Sequence, residues 1–126
     1  MTIPARRIRA ARSPARVLLL EADALDSLHT ESCLNDLGID DVRLARSVRQ
    51  AMSLIDETHF DLALLDFDFD GHETSFSVAE RLCAADVPLV VTASLGKVRL
   101  PRWCARSRIV RKPLAFEDLE RAISQH

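Results

Sequence analysis

The chain contains no tyrosine, and its first 16 residues contain neither an aromatic side chain nor an acid. A segment of that kind can attract phosphate or acidic lipid, but it has nothing to stack on bases, so a nucleic-acid role for it is unsupported. Cysteine is scarce: Cys33, Cys83 and Cys104 are odd in number and lack CxxC spacing, which excludes a disulfide framework or a zinc site and points to a reducing, cytoplasmic compartment. Long apolar runs are missing too. The longest, Val17 to Leu20 and Val87 to Val91, fall far short of the roughly 20 residues that a membrane helix needs. What remains is 126 residues, enough for one domain that buries roughly two thirds of its unfolded surface without a metal or disulfide staple.

Charge is segregated along the chain. Arg6, Arg7, Arg9, Arg12 and Arg16 make the first 16 residues +5, which leaves −7 for the rest of a chain of net charge −2. Residues 1–15 are expected to be a basic, disordered arm, and 16–126 the folded domain. Pro4 and Pro14 interrupt the short helix that a transit peptide would need, so the arm is read as a solvated tail. Eight acids and no lysine or arginine lie between Arg49 and Arg81, whereas residues 87–116 hold seven lysines and arginines and no acid.

Apolar periodicity sets the expected elements. Val17 to Leu20 is a continuous apolar run ending at Glu21, as in a strand buried on both faces. Leu25 to Leu37 reads as a helix with Leu25, Leu28, Cys33 and Leu37 on one face, stopped at Gly38. Val42 to Ala45 is a second strand. Behind a Ser47 cap, Val48, Ala51, Met52 and Ile55 recur at helical spacing. Leu62 to Leu65 repeats the buried-strand signature and ends on Asp66. Thr74 to Ala84 is a helix with Phe76, Ala79 and Cys83 inward, and Pro88 to Val91 a strand closed by Thr92. Pro101 makes any helix between Gly96 and Ser107 short or distorted. Arg108 to Arg111 is a fifth strand, and Phe116, Leu119 and Ile123 mark a last helix with Glu117 and Asp118 in its first turn.

Five strands alternating with helices predict an α/β fold, a doubly wound parallel sheet of order 2-1-3-4-5 with helices on both faces. Chemistry in such sheets lies beyond the carboxyl ends of the strands, at the switch in strand order. The residues there are Glu21 and Asp23, Asp66 and Asp68, Thr92, and Lys112 followed by Pro113. Clustered carboxylates with a lysine and a hydroxyl suit phosphoryl transfer to a nucleophilic carboxylate, and hard oxygen donors select magnesium or manganese.

The texts VLLLEAD, DLALLDFDFDG, VVTAS and VRKPL, in that order and spacing, resemble a response-regulator receiver domain over about residues 16 to 124. The resemblance implies the flavodoxin-like receiver fold and a non-enzymatic role in two-component phosphorelay signalling. It makes Asp66 the phosphoacceptor, Thr92 the hydroxyl that senses phosphate and Lys112 the phosphate-binding lysine, with a cis Lys112–Pro113 bond. Glu21, Asp66 and the backbone carbonyl of Asp68 would hold magnesium, with Asp23 an additional candidate. The partners implied are a sensor histidine kinase or phosphotransfer protein and a downstream protein. Because the chain stops just after the last helix, a receiver acting alone is expected.

Two positions depart from the family pattern. Ala22 stands where receivers carry a second acid that binds magnesium directly, so metal affinity should be weak or absent. Ile109 stands where they carry a switch aromatic. Both favour an alternative, a degenerate receiver that binds partners without phosphorylation. A remote alternative is that Asp68–Phe69–Asp70–Gly71 resembles the aspartate loop of haloacid-dehalogenase phosphatases, although that loop follows the first core strand in those enzymes and the third here. Asp23, Asp26 and Asp70, each taken alone, read as loop solvation, and His29, His59 and His72 as surface residues without ligand spacing. Cys33 and Cys83 read as small hydrophobes. Trp103 among Arg99, Arg102 and Arg106 is either an interface anchor or half-buried packing; those arginines are the candidate contact for an acidic partner.

Overall fold

The computed structural model describes residues 14–67, 72–94 and 107–124. The basic arm, the Asp68 to Gly71 loop and the segment carrying Arg99, Pro101, Arg102, Trp103, Cys104 and Arg106 lie outside the described residues.

Elements run β1 (Arg16–Leu20), α1 (Ala24–Asp36), β2 (Asp41–Ala45), α2 (Val48–Glu57), β3 (Leu62–Asp66), α3 (His72–Ala84), β4 (Leu89–Ala93), β5 (Arg108–Arg111) and α4 (Phe116–Ser124). The strands form one parallel sheet of order β2-β1-β3-β4-β5, as the alternation of elements predicts. Successive residues of a strand point to opposite faces. Leu18, Leu20, Ala63, Leu65, Leu89 and Val91 therefore meet α2 and α3, while Val17, Leu19, Leu62, Leu64 and Val90 meet α1 and α4. Both faces are covered, which is why β1, β3 and β4 carry the unbroken apolar runs Val17 to Leu20, Leu62 to Leu65 and Leu89 to Val91. Double-sided burial does not extend to the edges. Arg43 of β2 is exposed, and in β5 only Val110 is buried, because each edge strand has a neighbour on one side only.

Caps define the helix ends. The Asp23 side chain accepts from the Asp26 N–H at 2.9 Å at the start of α1, and Ser47 Oγ accepts from the Gln50 N–H at 3.1 Å at the start of α2. Gly38 takes φ 88° just past α1, where the Gly38 and Ile39 N–H groups donate to Asn35 O and Leu34 O, both at 2.9 Å. A side chain at that left-handed position would be strained, so glycine there ends the helix.

The inward face of α1 differs from the expectation. Leu25 and Leu28 are exposed, at 78% and 64%, and the buried residues are Ser27, Thr30, Cys33 and Leu34. Ser27 Oγ donates to Ala24 O at 2.9 Å, so its polarity is satisfied within the helix and its small size permits close packing. In α3 the buried positions are Ser75, Val78, Ala79 and Leu82, with Phe76 and Cys83 half-buried at the margin. Phe76 meets the Phe67 ring edge-on, centroids 5.0 Å apart.

Candidate phosphoryl-acceptor site

Parallel ladder bonds continue past three strand ends and fix the backbone of the residues that follow. Glu21 N–H donates to Ala45 O at 3.0 Å, Phe67 N–H to Thr92 O at 2.8 Å, and Lys112 N–H to Ala93 O at 2.9 Å. Asp66 is opposite Thr92 in the register of β3 and β4. Glu21, Asp66, Thr92 and Lys112 thus share the carboxyl end of the sheet, beside the β1–β3 switch in strand order. The bond between Lys112 and Pro113 is cis.

The Lys112 ammonium gathers three carboxylates. Nζ lies 3.1 Å from Asp66 Oδ1, 3.2 Å from Glu21 Oε1 and 3.5 Å from Asp26 Oδ2. The Glu21 and Asp66 side chains are only 4% and 6% exposed, so the attraction acts where water screens little. Asp26 is half-exposed. Burial pushes the Glu21 carboxyl up to about 7, helped by its hydrogen bond to Asp66 and by the Asp66 charge, against the opposing Asp23 N–H and Lys112. Burial lowers the Lys112 ammonium, but the Asp66 and Glu21 carboxylates outweigh it and the net displacement is upward. Near neutral pH, Glu21 is therefore partly protonated and hydrogen-bonded to Asp66 while Lys112 stays charged.

Two neighbours of the site, Ser75 and Arg46, were not singled out from the sequence, and a third, Asp26, was read as loop solvation. Asp26 is the third residue of α1, in the first turn behind the Asp23 cap, and helix side chains lean back toward the N-terminus, here toward Lys112. Ser75, fully buried in α3, donates from Oγ to Asp66 O at 3.4 Å. Arg46, the residue after β2, directs Nη1 to the Ala22 carbonyl at 3.5 Å, and its backbone N–H donates to Gln50 Oε1 at 2.7 Å. His29, though exposed, has a partner as well: Nε2 is 2.7 Å from Leu114 O and ties α1 to the loop after Lys112.

The donor set for magnesium is short. Among the described residues, no group of three or more His, Cys, Asp or Glu side chains stands so as to hold a metal ion. Asp23 spends a carboxylate oxygen on its cap, Ala22 contributes a methyl group, and Lys112 Nζ occupies the space between Glu21 and Asp66. The described side chains therefore do not fit an octahedral dication. Asp68 lies outside them.

No protein-family model and no curated protein matches the chain. Solved structures do. The N-terminal domain of a response regulator/sensory box/GGDEF 3-domain protein from Carboxydothermus hydrogenoformans is similar at TM-score 0.75 and 16% identity, over 87% of this chain and 91% of that one. SdrG from Sphingomonas melonis Fr1 gives TM-score 0.74 and 24% identity, over 87% of this chain and 93% of that one. The response regulator PhyR from Brucella abortus gives TM-score 0.75 and 20% identity over 98% of this chain, which spans 52% of the PhyR chain. The fold is that of response-regulator receiver domains, flavodoxin-like with sheet order 2-1-3-4-5. Among the described residues, no helix is long and apolar enough to cross a membrane.

Proposed function

We propose that the protein is a receiver module of two-component phosphorelay signalling that accepts a phosphoryl group on Asp66 and signals through protein–protein contacts. The observation that carries this reading is the buried Asp66 carboxylate at the end of β3, 3.1 Å from the Lys112 ammonium. An Asp66 oxygen attacks the donor's phosphorus, and the bond from phosphorus to the leaving group breaks with its electron pair going to that group. Lys112 holds a phosphoryl oxygen as a point charge, and the buried Thr92 hydroxyl beside Asp66 is the group placed to sense it. The phosphodonor would be a sensor histidine kinase or a phosphotransfer protein, with Arg99, Arg102 and Arg106 as the candidate contact for an acidic downstream partner. Intact mass after incubation with acetyl phosphate tests the acceptor. The expected result is a gain of one phosphoryl group, absent in Asp66→Asn; no gain in the unaltered protein refutes the reading.

A second reading, a degenerate receiver that binds partners constitutively, draws on the sharing of Lys112 among three carboxylates and on the methyl group at Ala22. It is the outcome in which partner binding is unchanged by acetyl phosphate and by Asp66→Asn.

A further inference from the structure

We infer that Arg46 binds the phosphoryl oxygens at Asp66 together with Lys112, supplying from the protein the positive charge that a divalent cation would bring. The inference rests on Asp66 being the acceptor and names a second cation at that site.

Charge balance makes the need plain. The described site sets Glu21, Asp26 and Asp66 against Lys112, whose ammonium is already divided among all three at 3.1–3.5 Å. Phosphorylation replaces the single charge of the Asp66 carboxylate with a phosphoryl group carrying about two. One ammonium shared among Glu21, Asp26 and the phosphoryl group cannot offset that, and the described side chains do not assemble a magnesium cage.

Arg46 is placed to fill the deficit. Ala45, the residue before it, is the register partner of Leu20 and accepts the Glu21 N–H, so Arg46 follows β2 at the same end of the sheet as the carboxylates. Its guanidinium reaches the backbone at position 22, the residue directly after Glu21, through the Ala22 carbonyl. Among the described residues its guanidinium has a neutral carbonyl as partner, at 3.5 Å, a contact long enough to be exchanged readily for an anion. The backbone of Arg46 is held by Gln50 Oε1, so the side chain swings from a fixed base. A guanidinium is permanently charged and presents parallel N–H donors that match two phosphoryl oxygens.

In the test, the unaltered protein, Arg46→Gln, Arg46→Lys and Asp66→Asn are each incubated with acetyl phosphate, in EDTA and in magnesium, and intact mass is followed in time. The Asp66–phosphorus bond forms as the bond from phosphorus to acetate breaks, and acetate leaves with the electron pair. The expected result is labelling of the unaltered protein in EDTA at a rate that magnesium does not raise, roughly 100- to 1,000-fold slower in Arg46→Gln, as for loss of one donor to a developing anion. Arg46→Lys, which keeps the charge without the fork, should fall between them. Circular dichroism melting checks that the variants fold, and Arg46→Lys carries the comparison if Arg46→Gln does not. Labelling that requires magnesium, or that proceeds equally in Arg46→Gln, overturns the role of Arg46 and leaves Asp66 as acceptor. No labelling in either buffer overturns both.

Discussion

Lys112 Nζ and Asp66 Oδ1 lie 3.1 Å apart at the ends of β5 and β3, strands separated in the sheet by β4. The lysine therefore reaches across a whole strand to a carboxylate that is 6% exposed, and Glu21 shares it from the far side at 3.2 Å. Removing the ammonium leaves two buried acids facing each other. Lys112→Met should lower stability at neutral pH by about 3–5 kcal/mol, the range for breaking a buried ion pair from one side. Urea denaturation measures it, and Lys112→Met/Asp66→Asn should recover part of the loss. A double variant as unstable as the single would show that packing of the lysine stem, not its charge, matters.

Glu21 makes stability depend on pH in a defined window. Its carboxyl is raised from an ordinary value of 4.5 to about 7, so the folded state holds a proton that the unfolded chain releases. The associated stability is complete below pH 4.5 and is lost as pH rises toward 7, with an upper bound of about 3 kcal/mol. Asp41 has the opposite sign. The Arg43 and Arg16 guanidinium groups hold its carboxyl below 3.8, so its contribution is present above that value and lost on acidification. The two windows do not overlap. Denaturation in metal-free buffer from pH 4.5 to 7 should therefore show a falling stability that flattens in Glu21→Gln.

How far the site was legible follows from where its residues sit. Glu21, Asp66 and Thr92 were recognisable because each ends an apolar run, and a strand buried on both faces announces its own end by its first polar residue, whereas Lys112 follows the mostly exposed β5 and was found through the text VRKPL. The five-stranded order followed from right-handed crossovers together with a switch between strands one and three that brings Glu21, Asp66, Thr92 and Lys112 to one end of the sheet. The role of Asp26 was not legible, since it lies inside a helix and meets Lys112 only once β5 is placed beyond β3 and β4 from β1. Arg46 was hidden for a related reason: it follows an edge strand whose half-exposed sequence carries little pattern. On α1 the apolar spacing held for Cys33 and Leu37, which are buried, and misled in the first two turns, where Ser27 and Thr30 pack inward while Leu25 and Leu28 face out.

That reversal on α1 can be checked energetically. Leu34 is fully buried among Val17, Leu19 and Leu119, so Leu34→Ala should cost about 2–5 kcal/mol through lost burial and a cavity. Leu25→Ala and Leu28→Ala remove exposed side chains and should change stability by less than about 0.5 kcal/mol. Equal losses in all three, measured by urea denaturation, would restore the orientation that the spacing of leucines suggests.

Position 22 offers the sharpest test of what charge the site uses. The residue is exposed, its carbonyl is 3.5 Å from Arg46 Nη1, and a carboxylate in place of its methyl group would add an oxygen donor beside Glu21. Ala22→Asp supplies that donor directly. Magnesium, followed by titration with an NMR or calorimetric readout, should bind the unaltered protein weakly and Ala22→Asp more tightly. Arg46 would repel the ion and pair with the new carboxylate, so Ala22→Asp/Arg46→Gln should bind more tightly still. Tight binding by the unaltered protein with no gain in Ala22→Asp would place a sufficient ligand elsewhere, with Asp23 or Asp68 the residues to replace next.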